Sequence, residues 1–353
     1  MKSFVHQGSL SRIVFGVDSV QSIPEEIERL GAKRALVLCT ANQREQAEAI
    51  AKTISSRVAG IFDRVEMHVP IEVARQARQA AASLGADCAL AIGGGSTIGL
   101  GKAIALESGL PIIAVPTTYA GSEVTPIFGL TEGGVKKTGR DPKVLPRTVI
   151  YDPRLTVTLP FSMTVTSAMN AIAHAAEGLY AYDGNPVLEL MAEEGIRASA
   201  ASLEPLAMNP ADLEARSDAL YGAWLCGTVL GSVAMGLHHK LCHTLGGTFN
   251  LPHAEVHTVI LPHALAYNFD AAPAAMRRIA RALGKTDVPL AVYELARKHG
   301  APTSLREIGM TADGLDRAAD MAVSNQYPNP RPLERTALRA LLQRAFDGVS
   351  PQV

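Results

Sequence analysis

The 353-residue sequence has no uninterrupted apolar run of about 18 residues, the length a membrane-crossing helix needs. Its start, Met1-Lys-Ser-Phe-Val-His-Gln7, has no apolar signal core. Charge of either sign is not in excess: 33 Lys and Arg stand against 34 Asp and Glu, so there is no electrostatic footprint for nucleic acid or an anionic membrane. The partners are expected to be small molecules. Cysteine is scarce, and Cys39, Cys88, Cys226 and Cys242 form no CxxC, which fits buried thiols in a reducing compartment. Repeats, low-complexity tracts and flexible linkers are also missing. What remains is a cytoplasmic protein long enough for two cores.

Strand and helix patterns alternate through the first part of the chain. Arg34–Cys39, Ile61–His68, Cys88–Ile92 and Pro111–Val115 read as buried strands, and Ile13–Phe15 reads as part of a short strand pair. Helices are expected over Val20–Arg29, Arg44–Ser55, Ile71–Leu84 and Ile98–Glu107. Short loops between them imply an open parallel sheet with helices on both faces, a Rossmann-like α/β domain over residues 1–159. Beyond Leu159-Pro160 long Ala- and Leu-rich helical stretches dominate, so residues 160–353 are expected to form an all-α domain, with a ligand cleft between the two. Lys136, Lys137 and Arg140, after Gly133-Gly134, read as a solvated hairpin.

Histidine is concentrated in one place. Gly236–His257 carries His238, His239, His243, His253 and His257 together with Lys240. His239 and His243 share a helix face, with Lys240 beside them, and Gly246-Gly247 is expected to break that helix. A second helical stretch, Ser167–Glu177, offers Asn170 and His174 at the same spacing. A single histidine on an apolar helix is usually a hydrogen-bonded core residue, and His238, His257 and His263 stand open between that reading and a site. His174, His239, His243 and His253 together point to chemistry.

Two loops leave strand ends where nucleotides bind in such sheets. Gly93-Gly94-Gly95-Ser96 lies between a strand and a helix start, where bare backbone amides can face a diphosphate, although a plain tight turn has the same composition. Thr117-Thr118-Tyr119 and Ser122 follow the next strand. Tyr119 could line the substrate side or be a packing residue.

These motifs, in this order and at this spacing over nearly the whole chain, resemble the iron-dependent alcohol dehydrogenase family. Thr117–Glu123, Thr138–Asp141, Val149–Pro153 and Asn329-Pro330-Arg331 look most like its maleylacetate-reducing branch. The resemblance implies a dinucleotide-binding domain, a helical catalytic domain and a homodimer. It also implies reduction of the conjugated double bond of maleylacetate to 3-oxoadipate by NADH or NADPH in aromatic catabolism, with metal-dependent alcohol or aldehyde oxidation as the alternative. The family's metal-ligand positions carry over as Asn170, His174, His239 and His253. Asn170 stands where relatives have an aspartate, and an amide is a poor substitute for a carboxylate on a hard cation, so metal is not expected to be required. Without it, His243 is expected to orient substrate or deliver a proton. A cationic set of His253, His239 and Lys240, with His174, would meet the dicarboxylate and the developing enolate. Arg331 could pair with a substrate carboxylate or form a domain-locking salt bridge. Relatives carry an aspartate where this chain has Gly99. Thr40, followed by Ala41-Asn42, stands in place of the acidic residue of NAD-selective relatives, so both cofactors are expected to work.

Overall fold

A computed structural model describes residues 4, 6, 8, 11–133, 135–324 and 327–352. Chain contacts divide it at Leu159 and Pro160. Gly134 and part of the expected N-terminal strand pair lie outside the described residues.

The first unit is built on six parallel strands: β1 (Arg12–Phe15), β2 (Ala35–Leu38), β3 (Val58–Phe62), β4 (Cys88–Gly93), β5 (Ile112–Pro116) and β8 (Thr148–Tyr151). Their order is β1-β8-β5-β4-β2-β3. Among the described residues β1 is therefore an edge strand, paired in parallel with the distant β8. Crossovers are α1 (Ile23–Arg29), α2 (Arg44–Thr53), α3 (Ile71–Ser83) and α4 (Gly95–Ser108). β2 and β4 are wholly buried, which is why they read as continuous apolar runs. Ile23, Ile27, Val37, Leu90, Ile92, Ile113 and Ile150 form one core of this unit. A hairpin of β6 (Ile127–Glu132) and β7 (Val135–Arg140) forms a separate two-stranded sheet. Strand order reverses between β2 and β4, so the loops leaving these neighbouring strands diverge and open the crevice in which open α/β sheets bind ligands.

The second unit is helical: α5 (Phe161–Gly178), α6 (Pro186–Met208), α7 (Leu213–Ser232), α8 (Leu237–Phe249), α9 (His253–Asn268), α10 (Pro273–Leu283), α11 (Val288–Lys298), α12 (Gly314–Ser324) and α13 (Arg335–Asp347). Small residues bring α5, α6 and α7 together. A Cβ on Gly195 would stand 2.7 Å from Cys226 Sγ, and one on Gly222 2.3 Å from the Ser199 hydroxyl. One apolar cluster lies along α5, with Met169, Ile172 and Leu261. Another joins α8, α9 and α13 through Leu241, Val259 and Leu342. Gly246-Gly247 does not break α8, contrary to the sequence reading. The helix runs on to Phe249 and stops where Asn250 turns left-handed at φ 54°, because a single Gly costs a helix interior only about 1 kcal/mol and packing offsets it. Among the described residues no single helix is long and apolar enough to cross a membrane.

Candidate active site

In the α/β unit, the β2, β4 and β5 ends carry the nucleotide-type loops. Thr40 donates to Gln43 Oε1 at 3.0 Å, and Gln43 Nε2 donates to the Thr117 hydroxyl at 2.7 Å. That chain of side chains passes over Gly93, where a Cβ would lie 2.4 Å from Thr97 Oγ1 and 2.8 Å from Gln43 Oε1. With φ at 155° as well, the position takes only glycine. Gly94 is the N-cap of α4 and supplies no side-chain cap. The Thr97 hydroxyl is buried without a hydrogen-bond partner. Gly95 and Ser96 open the helix beside Thr118, whose Cγ2 would lie 3.0 Å from a Cβ on Gly94. An uncapped helix start, a glycine approach and an orphan hydroxyl fit a phosphate-bearing nucleotide. Asn42 is exposed on the same turn.

Two turns into α4 stands a fully buried lysine. Lys102 Nζ donates to Ser122 O at 2.6 Å, Ile127 O at 2.7 Å and Thr125 O at 2.9 Å, with the Ser122 and Thr125 hydroxyls at 3.1 and 3.0 Å. Burial pulls this ammonium down to about 7. Ser122, expected on the cofactor, is thus engaged by Lys102, which fixes the loop after β5. Next to Ser122, Glu123 is also buried and accepts from Tyr151 Oη at 2.9 Å, and burial pushes its carboxyl up to about 7. Tyr119 is fully buried, so the packing alternative describes it better than the substrate-lining one. Gly99 lies against Val69, whose Cγ2 would be 3.0 Å from a Cβ there, so an aspartate at this position requires Val69 to move.

The helical unit gathers the histidines. Asn170, His174 and Glu177 follow at helical spacing on α5, which turns all three to one face. α8 supplies His238 and His239, and α9 supplies His257. Ring centroids of His174 and His239 are 5.2 Å apart, and those of His239 and His257 are 4.9 Å apart. Nitrogen atoms of His174, His239 and His257 lie within 4.8 Å of one another. The Asn170 Oδ1, His174 Nδ1, His239 Nε2 and both His257 nitrogens are buried without hydrogen-bond partners. His243 and His253 are exposed at the outer edge, with ring centroids 6.3 Å from His239 and 4.3 Å from His257 respectively. Behind the cluster Glu177, wholly buried, accepts from the backbone amides of Gly236, His238 and His239 and from His239 Nδ1 at 2.7 Å.

Burial and mutual repulsion decide the charge of the inner rings. Desolvation, then neighbouring imidazoles, hold His174, His239 and His257 well below the ordinary imidazole range, and His238 is brought down to about 3. The expectation of a cationic cluster is therefore corrected for His174 and His239, which are neutral at pH 7 because too little water reaches them to solvate a charge. Lys240 is exposed and its ammonium lies 5.6 Å over the Tyr327 ring. Arg331 lies 4.3 Å over the Tyr267 ring and donates to the Tyr267 carbonyl at 3.4 Å; among the described residues it forms no ion pair. Of the two readings of Arg331, the domain-locking salt bridge has no counterpart among the described residues. His263 lies further along α9, with burial bringing it down to about 4.

Sequence reasoning passed over Glu177, Gln43 and Lys102, and left His257 open. Glu177 had a legible signal, seven residues after Asn170 on the same helix face. Gln43 and Lys102 had none, since polar residues near a turn and in a helix are ordinary.

Comparison with known proteins agrees with this geometry. Residues 11–153 match the family model described as iron-containing alcohol dehydrogenase, and residues 164–346 match the C-terminal model of the Fe-containing alcohol dehydrogenase family. The chain belongs to the iron-containing alcohol dehydrogenase family, as its motifs implied. Within the family it is 65% identical to a maleylacetate reductase of Burkholderia cepacia, covering 99% of this chain and 100% of that one. Crystal structures of maleylacetate reductases from Agrobacterium tumefaciens and a Rhizobium species each superpose with a TM-score of 0.96 at 52% identity, covering 99% of this chain and 100% of theirs.

The family's metal can be tested against this donor set. Three convergent, unpartnered imidazole nitrogens fit a borderline cation such as zinc. They do not reproduce the set of a hard cation, because position 170 offers an amide oxygen and Glu177 is already engaged by amides and His239. His253 is exposed, and His257 is the third histidine whose nitrogen lies near those of His174 and His239.

Proposed function

We propose that the chain catalyses the NAD(P)H-dependent reduction of the conjugated carbon–carbon double bond of maleylacetate, giving 3-oxoadipate in aromatic-compound degradation. Full-length identity of 65% to a maleylacetate reductase carries this reading. The neutral donor set around Asn170 supports it over metal-dependent alcohol oxidation.

Bound reduced dinucleotide supplies hydride equivalents for the alkene carbon farther from the ketone, and the adjacent carbon must then gain a proton. Gly93, Gly94, Gly95 and Ser96 hold the diphosphate by backbone amides, while Thr40, Asn42, Thr117 and Thr118 border the rest of the nucleotide. No carboxylate at the end of β2 opposes a 2′-phosphate, so both NADH and NADPH serve. His243, exposed at the edge of the cluster, orients the substrate or delivers the proton. His253 and Lys240, also exposed, meet the carboxylates, with Asn170 and His174 beneath them.

Turnover without a metal is part of this reading. It is supported by the amide at 170 and by the engagement of Glu177 elsewhere. Four buried free thiols fit a cytoplasmic enzyme, and light scattering on the purified chain checks the homodimer. The test is oxidation of NADH and NADPH on addition of maleylacetate, beside a panel of small aldehydes. Rapid turnover with the dicarboxylate supports the proposal; turnover with aldehydes alone rejects it.

A further inference from the structure

Glu177 accepts five hydrogen bonds and belongs to no role assigned above. Its Oε1 accepts from the His238 amide at 2.9 Å and Tyr180 Oη at 3.1 Å. Its Oε2 accepts from the Gly236 amide at 3.0 Å, the His239 amide at 3.2 Å and His239 Nδ1 at 2.7 Å. α8 begins with Gly236 as N-cap and no side-chain cap of its own. The carboxylate from α5 therefore performs that service, satisfying amides at the positive end of the helix.

The same contacts settle which ring nitrogens carry protons. Backbone amides can only donate, so the oxygen they share must accept, and His239 Nδ1 can approach it at 2.7 Å only as an N–H. A neutral ring with its proton on Nδ1 has a bare lone pair on Nε2, the atom left without a partner. The adjacent ring has the opposite arrangement. His238 Nε2 meets the His257 carbonyl at 3.1 Å and must donate, which leaves its Nδ1 as the acceptor facing His239 Nδ1 at 3.3 Å.

We propose that Glu177 is a positioning residue that sets the polarity of the histidine pocket: it locks His239 in the Nδ1–H tautomer, so the buried floor presents a lone pair and the exposed edge receives the anion. At His239 Nε2 the floor then takes a hydrogen-bond donor or a cation, and that atom repels carboxylate and enolate oxygens. The anionic ends of the substrate are directed to His243, His253 and Lys240, and His239 does not donate to the enolate. This orientation of substrate rests on the maleylacetate reading; the tautomer does not.

The test is a long-range proton–nitrogen correlation spectrum of the full chain with 15N-labelled histidine, read beside steady-state kinetics. His239 is expected as Nδ1–H in the wild type. In Glu177→Gln, whose amide cannot accept at every position, that preference is expected to be lost and kcat for maleylacetate to fall about 10- to 100-fold. Glu177→Asp is expected to restore part of both. Adding Glu177→Gln to His239→Ala is expected to cost less in kcat than adding it to the wild type, since the part that acts through the ring is already lost. An Nε2–H tautomer in the wild type overturns the proposal, even if every Glu177 variant fails to fold. So does an unchanged His239 tautomer in folded Glu177→Gln. Failure of the wild type to turn over maleylacetate, with the tautomer as stated, counts against the functional reading alone.

Discussion

Gln43 Nε2 donates to the Thr117 hydroxyl at 2.7 Å, tying the loop after β2 to the loop after β5 across Gly93. Neither residue carries a charge, and neither does Thr40, which donates to the same glutamine and which the family resemblance sets in place of a selective carboxylate. NADH and NADPH are therefore expected to differ by less than about 10³-fold in kcat/KM, equivalent to about 4 kcal/mol. Thr40→Asp is expected to depress kcat/KM with NADPH at least about tenfold relative to NADH, by placing a carboxylate against the 2′-phosphate. Initial rates with both cofactors check this.

Glu123 gives the α/β unit a pH dependence. Its carboxyl is raised from 4.5 to about 7 by burial, so the folded chain holds a proton that the unfolded chain has released. The resulting stability is fully present below the unfolded value and is lost as pH rises through about 7, an effect on the order of 1–3 kcal/mol. Glu123→Gln keeps a partner for Tyr151 but cannot ionise. Thermal unfolding between pH 5 and 8 is expected to fall more steeply with pH in the wild type than in the variant; parallel curves would exclude the assignment.

Asn170 and His174 lie one turn apart on α5, both buried with an unpartnered polar atom, and Asn170 contributes an amide where a carboxylate would add charge. Asn170→Asp is expected to raise affinity for a divalent cation at least about tenfold, by adding a hard anionic ligand. Calorimetric titration with zinc and with ferrous ion, on chelator-treated samples of both forms, measures it. Equal affinities would mean that position 170 does not face a cation site.

His243→Ala is expected to lower kcat for maleylacetate at least about 10²-fold, the usual loss of a general acid, with a smaller effect on KM. Near-normal turnover would remove His243 from the chemistry.

Much of this was legible in the sequence because periodicity and punctuation carry it. The buried runs that became β2, β4 and β5, and the Ala-rich stretches that became α5 and α7, follow from continuous apolar content. Asn170, His174, His239 and the Gly93–Ser96 turn were visible as residue types at telling spacing. Less visible was anything set by the approach of distant segments. β8 pairs with β1 from 136 residues away, which no local pattern announces. Gly246-Gly247 looked like a break and is helical. Whether His253 or His257 turns inward depends on how α9 sits against α8, and the two share a helix face, so spacing could not choose between them. The charge of the inner rings is hidden for a similar reason: composition shows histidines, but only burial holds His174 and His239 below the ordinary imidazole range.

Turnover of maleylacetate is expected to be independent of metal content. The measurement is kcat of chelator-treated, metal-analysed protein with NADH and maleylacetate, before and after adding back iron or zinc. Full activity in samples with far less than one metal per chain, unchanged on add-back, is the expected result. Activity that disappears with the metal and returns in proportion to iron or zinc bound would contradict it.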